Sequence, residues 1–296
     1  YKIPAQEALA DKLTELTFAD TCFFTNSGTE AAELAIKMAR KYWYDKGLPE
    51  KYEIITFEGC FHGRSTAAIA ASGAEKMVKG FGPALEGFVH LPFGEWEDLA
   101  AHVTENTAAI MIEPVQGEGG IRVVPDEVLK IMRQIADEKG CLLIFDEVQC
   151  GVARTGKLFA HEYAGVTPDI MMIAKGIGGG FPLGGVLATE EAASGMTAGT
   201  HGSTYGPLGC AIGLKVLEVV SDPAFLAEVN RKAGLLRQKL EGLVADHPDL
   251  FEGVRGEGLM LGLKCKTSPA DLVANGYEQG VLTVPAHDNV VRLLPA

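Results

Sequence analysis

Lys175 closes an apolar run, Pro168 to Ala174, and opens the glycine-rich turn Gly176-Ile177-Gly178-Gly179-Gly180-Phe181-Pro182. A lysine at a strand end, beside glycines that bring no side chains of their own, is desolvated enough to act as an amine nucleophile. Asp146 ends a second apolar run, Cys141 to Phe145, and lies 175 − 146 = 29 residues earlier. That distance allows one strand-loop-strand excursion returning to the same sheet edge. An amine able to form an imine and a carboxylate able to pair with a pyridinium nitrogen are the two protein groups that pyridoxal phosphate (PLP) chemistry needs.

Other segments add chemistry of less certain direction. Asn26-Ser27-Gly28-Thr29-Glu30 follows a short strand and opens a helix. Its N–H groups and hydroxyls suit a phosphate at the positive helix end, and they equally suit a helix N-cap. Phe61-His62-Gly63-Arg64 follows another strand. Phe61 is placed to stack on a flat ring and Arg64 to hold a carboxylate through two hydrogen bonds, but a core phenylalanine and a surface arginine are the plainer alternatives. His62 has metal-ligand chemistry without partner spacing, so no metal site is expected. Glu113 to Gly120 carries two carboxylates, read as solvated loop acids. Arg292 lies within the apolar run Val290 to Leu294, where burial demands a partner; Glu118 is a candidate.

A rival reading starts from the acidic strand Cys141–Glu147. Gly151-Val152-Ala153-Arg154-Thr155-Gly156-Lys157-Leu158 nearly matches a P-loop. Leu158 stands where a Mg²⁺-binding hydroxyl is needed, and the segment follows the acidic strand instead of preceding it. Neither Gly117–Gly120 nor Gly176–Gly180 fits a dinucleotide fingerprint.

These residues need a scaffold. The chain has 296 residues, 47% hydrophobic and 22% charged, ample for one large and one small domain. Its net charge of −13 and lack of a basic block argue against nucleic acid, and no apolar run is long enough for a membrane helix. The six scattered cysteines, without a CxxC pair, read as buried free thiols of a reducing cytoplasm. Periodicity predicts a helix over 4–16 and strands at 21–25, 52–57, 86–91, 107–113, 141–147, 170–174 and 184–189. Helices are expected after Asn26 and over 95–102, 126–139, 211–245 and 269–278. Strands at 281–284 and 290–294 complete the pattern. The alternation predicts an α/β fold with a mainly parallel, seven-stranded sheet covered by helices on both faces. The texture changes near residue 212, giving an expected large domain over 1–212 and part of a smaller α+β domain over 213–296.

Taken together, Phe23–Glu30, Phe61–Arg64, Gln116–Gly119, Phe145–Gln149, Ala174–Gly176 and His201–Thr204 resemble the class III aminotransferases, PLP enzymes of fold type I. The likeness spans nearly the whole chain, and among members of the family it points to those acting on N-acetylornithine. It implies that Lys175 bonds to the cofactor and shuttles a proton, and that Asp146 pairs with the ring nitrogen. Gln149 would reach the ring hydroxyl, and Val148 and Phe61 would flank the ring beside His62. Ser27, Gly28 and Thr29 would bind the phosphate, joined by Thr204 from the neighbouring subunit of a homodimer with a shared active site. Arg64 would take the α-carboxylate of N-acetylornithine. Arg292 would take that of glutamate or 2-oxoglutarate, with Glu118 covering it in the other half-reaction. The implied pathway is arginine biosynthesis in the cytoplasm. Ornithine, 4-aminobutyrate, succinylornithine or succinyl-diaminopimelate stand as alternative donors, and a cofactor-binding protein without activity as a non-enzyme alternative. The family pattern starts earlier and ends later than this chain, so unseen segments are expected at both ends. It has glycine where Ala153 stands, and two more residues near Gly206-Pro207. We expect residues to be missing there, leaving Gly206 and Pro207 unjoined.

Overall fold

A computed structural model describes residues 2–202 and 206–296. In chain order the strands are β1 (Thr21–Thr25), β2 (Glu53–Phe57), β3 (Phe88–Leu91), β4 (Thr107–Ile112), β5 (Val115–Gln116) and β6 (Arg122–Val123). They continue as β7 (Leu142–Asp146), β8 (Ile170–Ile173), β9 (Gly184–Ala188), β10 (Phe251–Glu257), β11 (Met260–Cys265), β12 (Val284–Ala286) and β13 (Val290–Leu293). Seven of them form one sheet in the order β1-β9-β8-β7-β4-β2-β3. Strand β9 runs antiparallel to β1 and β8, and the remaining pairs are parallel. The C-terminal ends of β1, β2, β4, β7 and β8 therefore share one edge, where open α/β sheets bind ligands.

The apolar runs bury both faces of this sheet. Ile110, Ile112, Leu143 and Phe145 join one core, and Ala109, Met111, Leu142 and Ile144 the other, as the two-residue strand period requires. The first core is closed by helices Pro4–Leu16, Asp126–Lys139 and Pro207–Val220. Leu9 and Leu13, one helical turn apart, are fully buried there, each contributing roughly 1.5–3 kcal/mol. The second core is closed by Gly28–Asp45, through Ala31, Leu34, Ala35 and Met38.

A second sheet, β10-β11-β13-β12, is antiparallel. Val244 and Val273, from helices Pro223–Asp246 and Ala270–Glu278, pack on its Phe251, Leu263 and Val291. Val115, Ile121, Cys150 and Ala160 meet Met260 and Val290, tying the two sheets together.

Several expectations need correction. The single helix over 211–245 is two, because Pro223 cannot continue a helix and Asp222 is extended, its carboxylate accepting the Ala224 N–H at 2.7 Å. The first of the two runs across residue 212, with Cys210 and Leu217 in the core of the large sheet. The 95–102 helix shrinks to Leu99–His102, and the strand placed at 281–284 forms at Val284–Ala286. The Thr66–Ser72 helix, capped by Ser65, and the β5–β6 hairpin were not anticipated. Gly206 and Pro207 are joined: Gly206 is the N-cap of Pro207–Val220, and its carbonyl accepts the Cys210 N–H at 3.4 Å. All six cysteines are free thiols, Cys22 half-buried and the rest buried. Among the described residues, no helix is long and apolar enough to cross a membrane.

Candidate active site

The shared strand edge opens into a cavity of about 370 Å³ lined by Ser27, Gly28, Thr29, Phe61, His62, Asp146, Val148 and Lys175. They arrive from four strand ends or the loops after them, those of β1, β2, β7 and β8. Asp146 is the last residue of β7 and only 3% exposed. Its Oδ1 accepts the Val148 N–H at 3.0 Å, and its Oδ2 lies 2.7 Å from Nδ1 of the buried His62. Burial alone would lower the basicity of His62. Cys60 and the Asp146 carboxylate outweigh it and hold the imidazole well above its ordinary value. The other ring nitrogen, Nε2, is buried without a partner.

Lys175 leaves β8 with φ +46°, a left-handed conformation that costs a non-glycine residue about 1–3 kcal/mol. Such strain turns the chain sharply at a functional site. The residue faces the open cavity and keeps accessible surface, yet dense protein around it desolvates the ammonium and lowers its pKa. The carboxylates of Asp146, Glu113 and Glu118 oppose that shift.

The helix opening after β1 supplies the third component. Ser27 caps it, its Oγ accepting the Glu30 N–H at 3.2 Å, while Glu30 reaches back to the Asn26 N–H at 2.5 Å. The cap and the anion site are thus compatible: among the described residues the Gly28 and Thr29 N–H groups have no partner, as the first N–H groups of a helix are left without one. Glycine is needed at 28 because a Cβ there would sit 2.9 Å from Val148 Cγ1 and 3.4 Å from the Ala174 Cβ. The helix end can therefore rest on the strand ends that carry Asp146 and Lys175.

The remaining candidates lie around this cavity. Arg64 is exposed beside Phe61, its guanidinium 5.3 Å from the ring centre. It lines a neighbouring cavity of about 540 Å³ together with Phe61, Glu118 and His287. Arg292, on β13 and 6% exposed, pairs with Glu118 at 2.7 Å. Gln149 is not on the cavity wall; its Oε1 abuts Gly117 and is buried without a partner. Thr204 falls outside the described residues.

One acid departs from the sequence reading, and its counterpart behind the cavity differs from it in role. Glu113 is not a solvated loop acid. It is 5% exposed and accepts the Phe61 N–H at 3.1 Å and the Gly117 N–H at 3.4 Å, and burial pushes its pKa up to about 7. Its position immediately after an apolar strand and before proline was the available signal. Glu147 faces away from the cavity and accepts the N–H groups of Ala160 and His161 at 2.7 and 2.8 Å. The P-loop reading fails on geometry as well. Gly151–Leu158 forms turns followed only by the three-residue 3₁₀ turn Ala160–Glu162, so no helix N-terminus faces it. Ala153 has φ +67°, where glycine would be unstrained.

A family model described as Aminotransferase class-III matches residues 2–296. This chain belongs to the class-III aminotransferases. Other members of the family include the acetylornithine aminotransferase of Rhodobacter capsulatus, 72% identical over all of this chain and 76% of that protein. The Agrobacterium fabrum acetylornithine aminotransferase is 57% identical over all of this chain and 74% of its own length. Among solved structures, the N-acetylornithine aminotransferase of Stenotrophomonas maltophilia superposes with a TM-score of 0.85 at 34% identity, covering all of this chain and 75% of that one. The ornithine aminotransferase of Toxoplasma gondii gives 0.94 at 30% identity, covering all of this chain and 72% of that one. Class-III aminotransferases depend on PLP, and the cavity fits such a group. It has an amine, a buried carboxylate, unpaired N–H groups at a helix end and an apolar wall from Phe61 and Val148.

Proposed function

We propose that this chain is a PLP-dependent aminotransferase that moves the δ-amino group of N-acetylornithine to 2-oxoglutarate, giving N-acetylglutamate semialdehyde and glutamate in arginine biosynthesis. The observation that carries the reading is the convergence of the Lys175 amine, the Asp146 carboxylate and the open helix end at Gly28 on one cavity. When bound, PLP supplies the electron sink for charge developing at the substrate carbon. Lys175, whose ammonium form burial disfavours, would supply the amine that holds the group covalently and would take up and return the proton at that carbon. Asp146, fixed by His62 and the Val148 amide, holds negative charge for the ring nitrogen's proton. Ser27, Gly28 and Thr29 hold the phosphate, with Thr204 of a second subunit in a cytoplasmic homodimer. Phe61 and Val148 flank the ring, and Gln149 serves its hydroxyl. Arg64 takes the donor's α-carboxylate. Arg292 takes the carboxylate of glutamate or 2-oxoglutarate, and Glu118 neutralises it while the donor is bound. The large and small units divide after Val220, where the helix crossing residue 212 ends.

Ornithine is the competing donor, supported by the likeness to the Toxoplasma gondii enzyme. A screen of donors against 2-oxoglutarate decides between them, with N-acetylornithine expected to give the highest kcat/KM. Cofactor absorbance without transfer from any donor would leave a binding protein only. Arg64→Ala should raise the KM for the donor and Arg292→Ala that for 2-oxoglutarate, each by roughly 1.5–3 kcal/mol. Equal losses in both half-reactions for both variants would remove the division of labour.

A further inference from the structure

The Arg292–Glu118 pair joins two segments that a second set of charges holds together. The loop carrying Glu118 meets the β12–β13 turn: the Glu118 carbonyl accepts the His287 N–H at 3.0 Å. Gly120 lies so close that a Cβ there would come within 2.7 Å of the His287 carbonyl oxygen. The turn itself places Asp288 and Asn289 both in the left-handed region, at φ +58° and +50°, which short polar side chains tolerate best. Asp288 is gripped from two other strands. Its Oδ1 lies 2.7 Å from Lys264 Nζ on β11, and its Oδ2 2.8 Å from Arg255 Nη1 on β10. Lys264 also donates to the Asp288 carbonyl at 2.7 Å, and Arg255 to the Gly120 carbonyl at 3.4 Å. Arg255 thus ties Asp288 directly to the loop that presents Glu118. Four residues beyond Asp288, Arg292 reaches Glu118.

We propose that Asp288, acting through Arg255 and Lys264, is a positioning residue that sets the Arg292–Glu118 geometry and so controls recognition of the dicarboxylate substrate. The inference rests on the reading of Arg292 as the carboxylate contact for glutamate and 2-oxoglutarate. Asp288 lines neither the cavity of Lys175 nor that of Arg64. Its lowered pKa, caused first by the Lys264 hydrogen bond and then by Arg255, keeps it charged at neutral pH.

The test uses the cofactor-loaded enzyme and Asp288→Asn, which removes the charge and keeps a side chain suited to the turn. Two quantities are read: the half-reactions separately, and equilibrium binding of glutarate, a dicarboxylate without an amino or keto group. We expect KM for 2-oxoglutarate and the Kd for glutarate to rise together by about three- to fivefold. The half-reaction with the amino donor, in which Arg292 holds no substrate carboxylate, should change less than the half-reaction with 2-oxoglutarate. Arg255→Gln, which cuts the tie to Gly120, should shift glutarate binding in the same direction, and it carries the test should Asp288→Asn not fold. Unchanged glutarate affinity in these variants, while Arg292→Ala weakens it, overturns the positioning role alone. Unchanged affinity in Arg292→Ala overturns the assignment of Arg292 and this inference with it. Equal losses in both half-reactions would reduce Asp288 to a general structural residue.

Discussion

The floor of the cavity and the layer behind it are built from the same residue types and do different things. Asp146 and Glu147 are neighbours at the end of β7, 3% and 0% exposed. Each has a buried histidine nearby. In front, Asp146 meets the His62 imidazole side chain to side chain, leaving the carboxylate facing open space beside Lys175. Behind, Glu147 is consumed by the backbone of Ala160 and His161, and His161 spends its Nδ1 on the Val166 carbonyl at 2.7 Å. The two imidazoles respond in opposite directions. That of His62 is raised despite burial, whereas burial lowers that of His161 further than the Val166 carbonyl can offset. A buried acid becomes chemical equipment where it keeps one side on an open cavity, and a strut where a closed core surrounds it.

This contrast can be broken by experiment. Lys175→Ala should reduce transfer by several orders of magnitude and abolish the imine absorbance band, since no other amine faces the cavity in the described structure. Retention of the band with near-normal turnover would end the assignment. Asp146→Ala should leave cofactor bound and slow the single-turnover half-reaction well beyond tenfold, a barrier change above about 1.4 kcal/mol. A smaller loss would place Asp146 among the struts. Glu147→Ala should do the reverse. It strands two buried N–H groups, each at about 1–3 kcal/mol, and should lower the unfolding free energy without changing kcat of the folded enzyme. A loss of kcat with stability intact would erase the distinction between front and back.

The smallest effect concerns pH. Burial raises the Glu147 pKa from its ordinary 4.5 to about 7. Between those values the folded protein binds a proton that the unfolded chain has released, so the contribution of Glu147 to stability is present below 4.5 and declines as pH rises through 7. Glu113 acts in the same sense, with burial as the main cause. Chemical denaturation of Glu147→Gln should therefore show a shallower fall in stability over this window than the parent. An unchanged slope would mean that Glu147 ionises normally.

The chemical pair Asp146 and Lys175 was legible because each terminates a local apolar run, and a run that ends in a charge is a property of neighbouring residues. The same holds for the Ser27 cap, the alternating burial of the strands, and the Pro4–Leu16 and Asp126–Lys139 helices. Even the split at Asp222-Pro223 was written locally and was overlooked. What the tertiary structure alone decided is the partner of each charge. Arg292 and Glu118 meet across 174 residues, a contact that sequence reading offered only as a candidate. Asp146 and Glu147 differ by one position, and along a strand one position is a change of face. Which face opens on a cavity and which on a packed core depends on the sheet order and on what each layer places against it. Long-range packing sets both, and no local pattern of residues contains them.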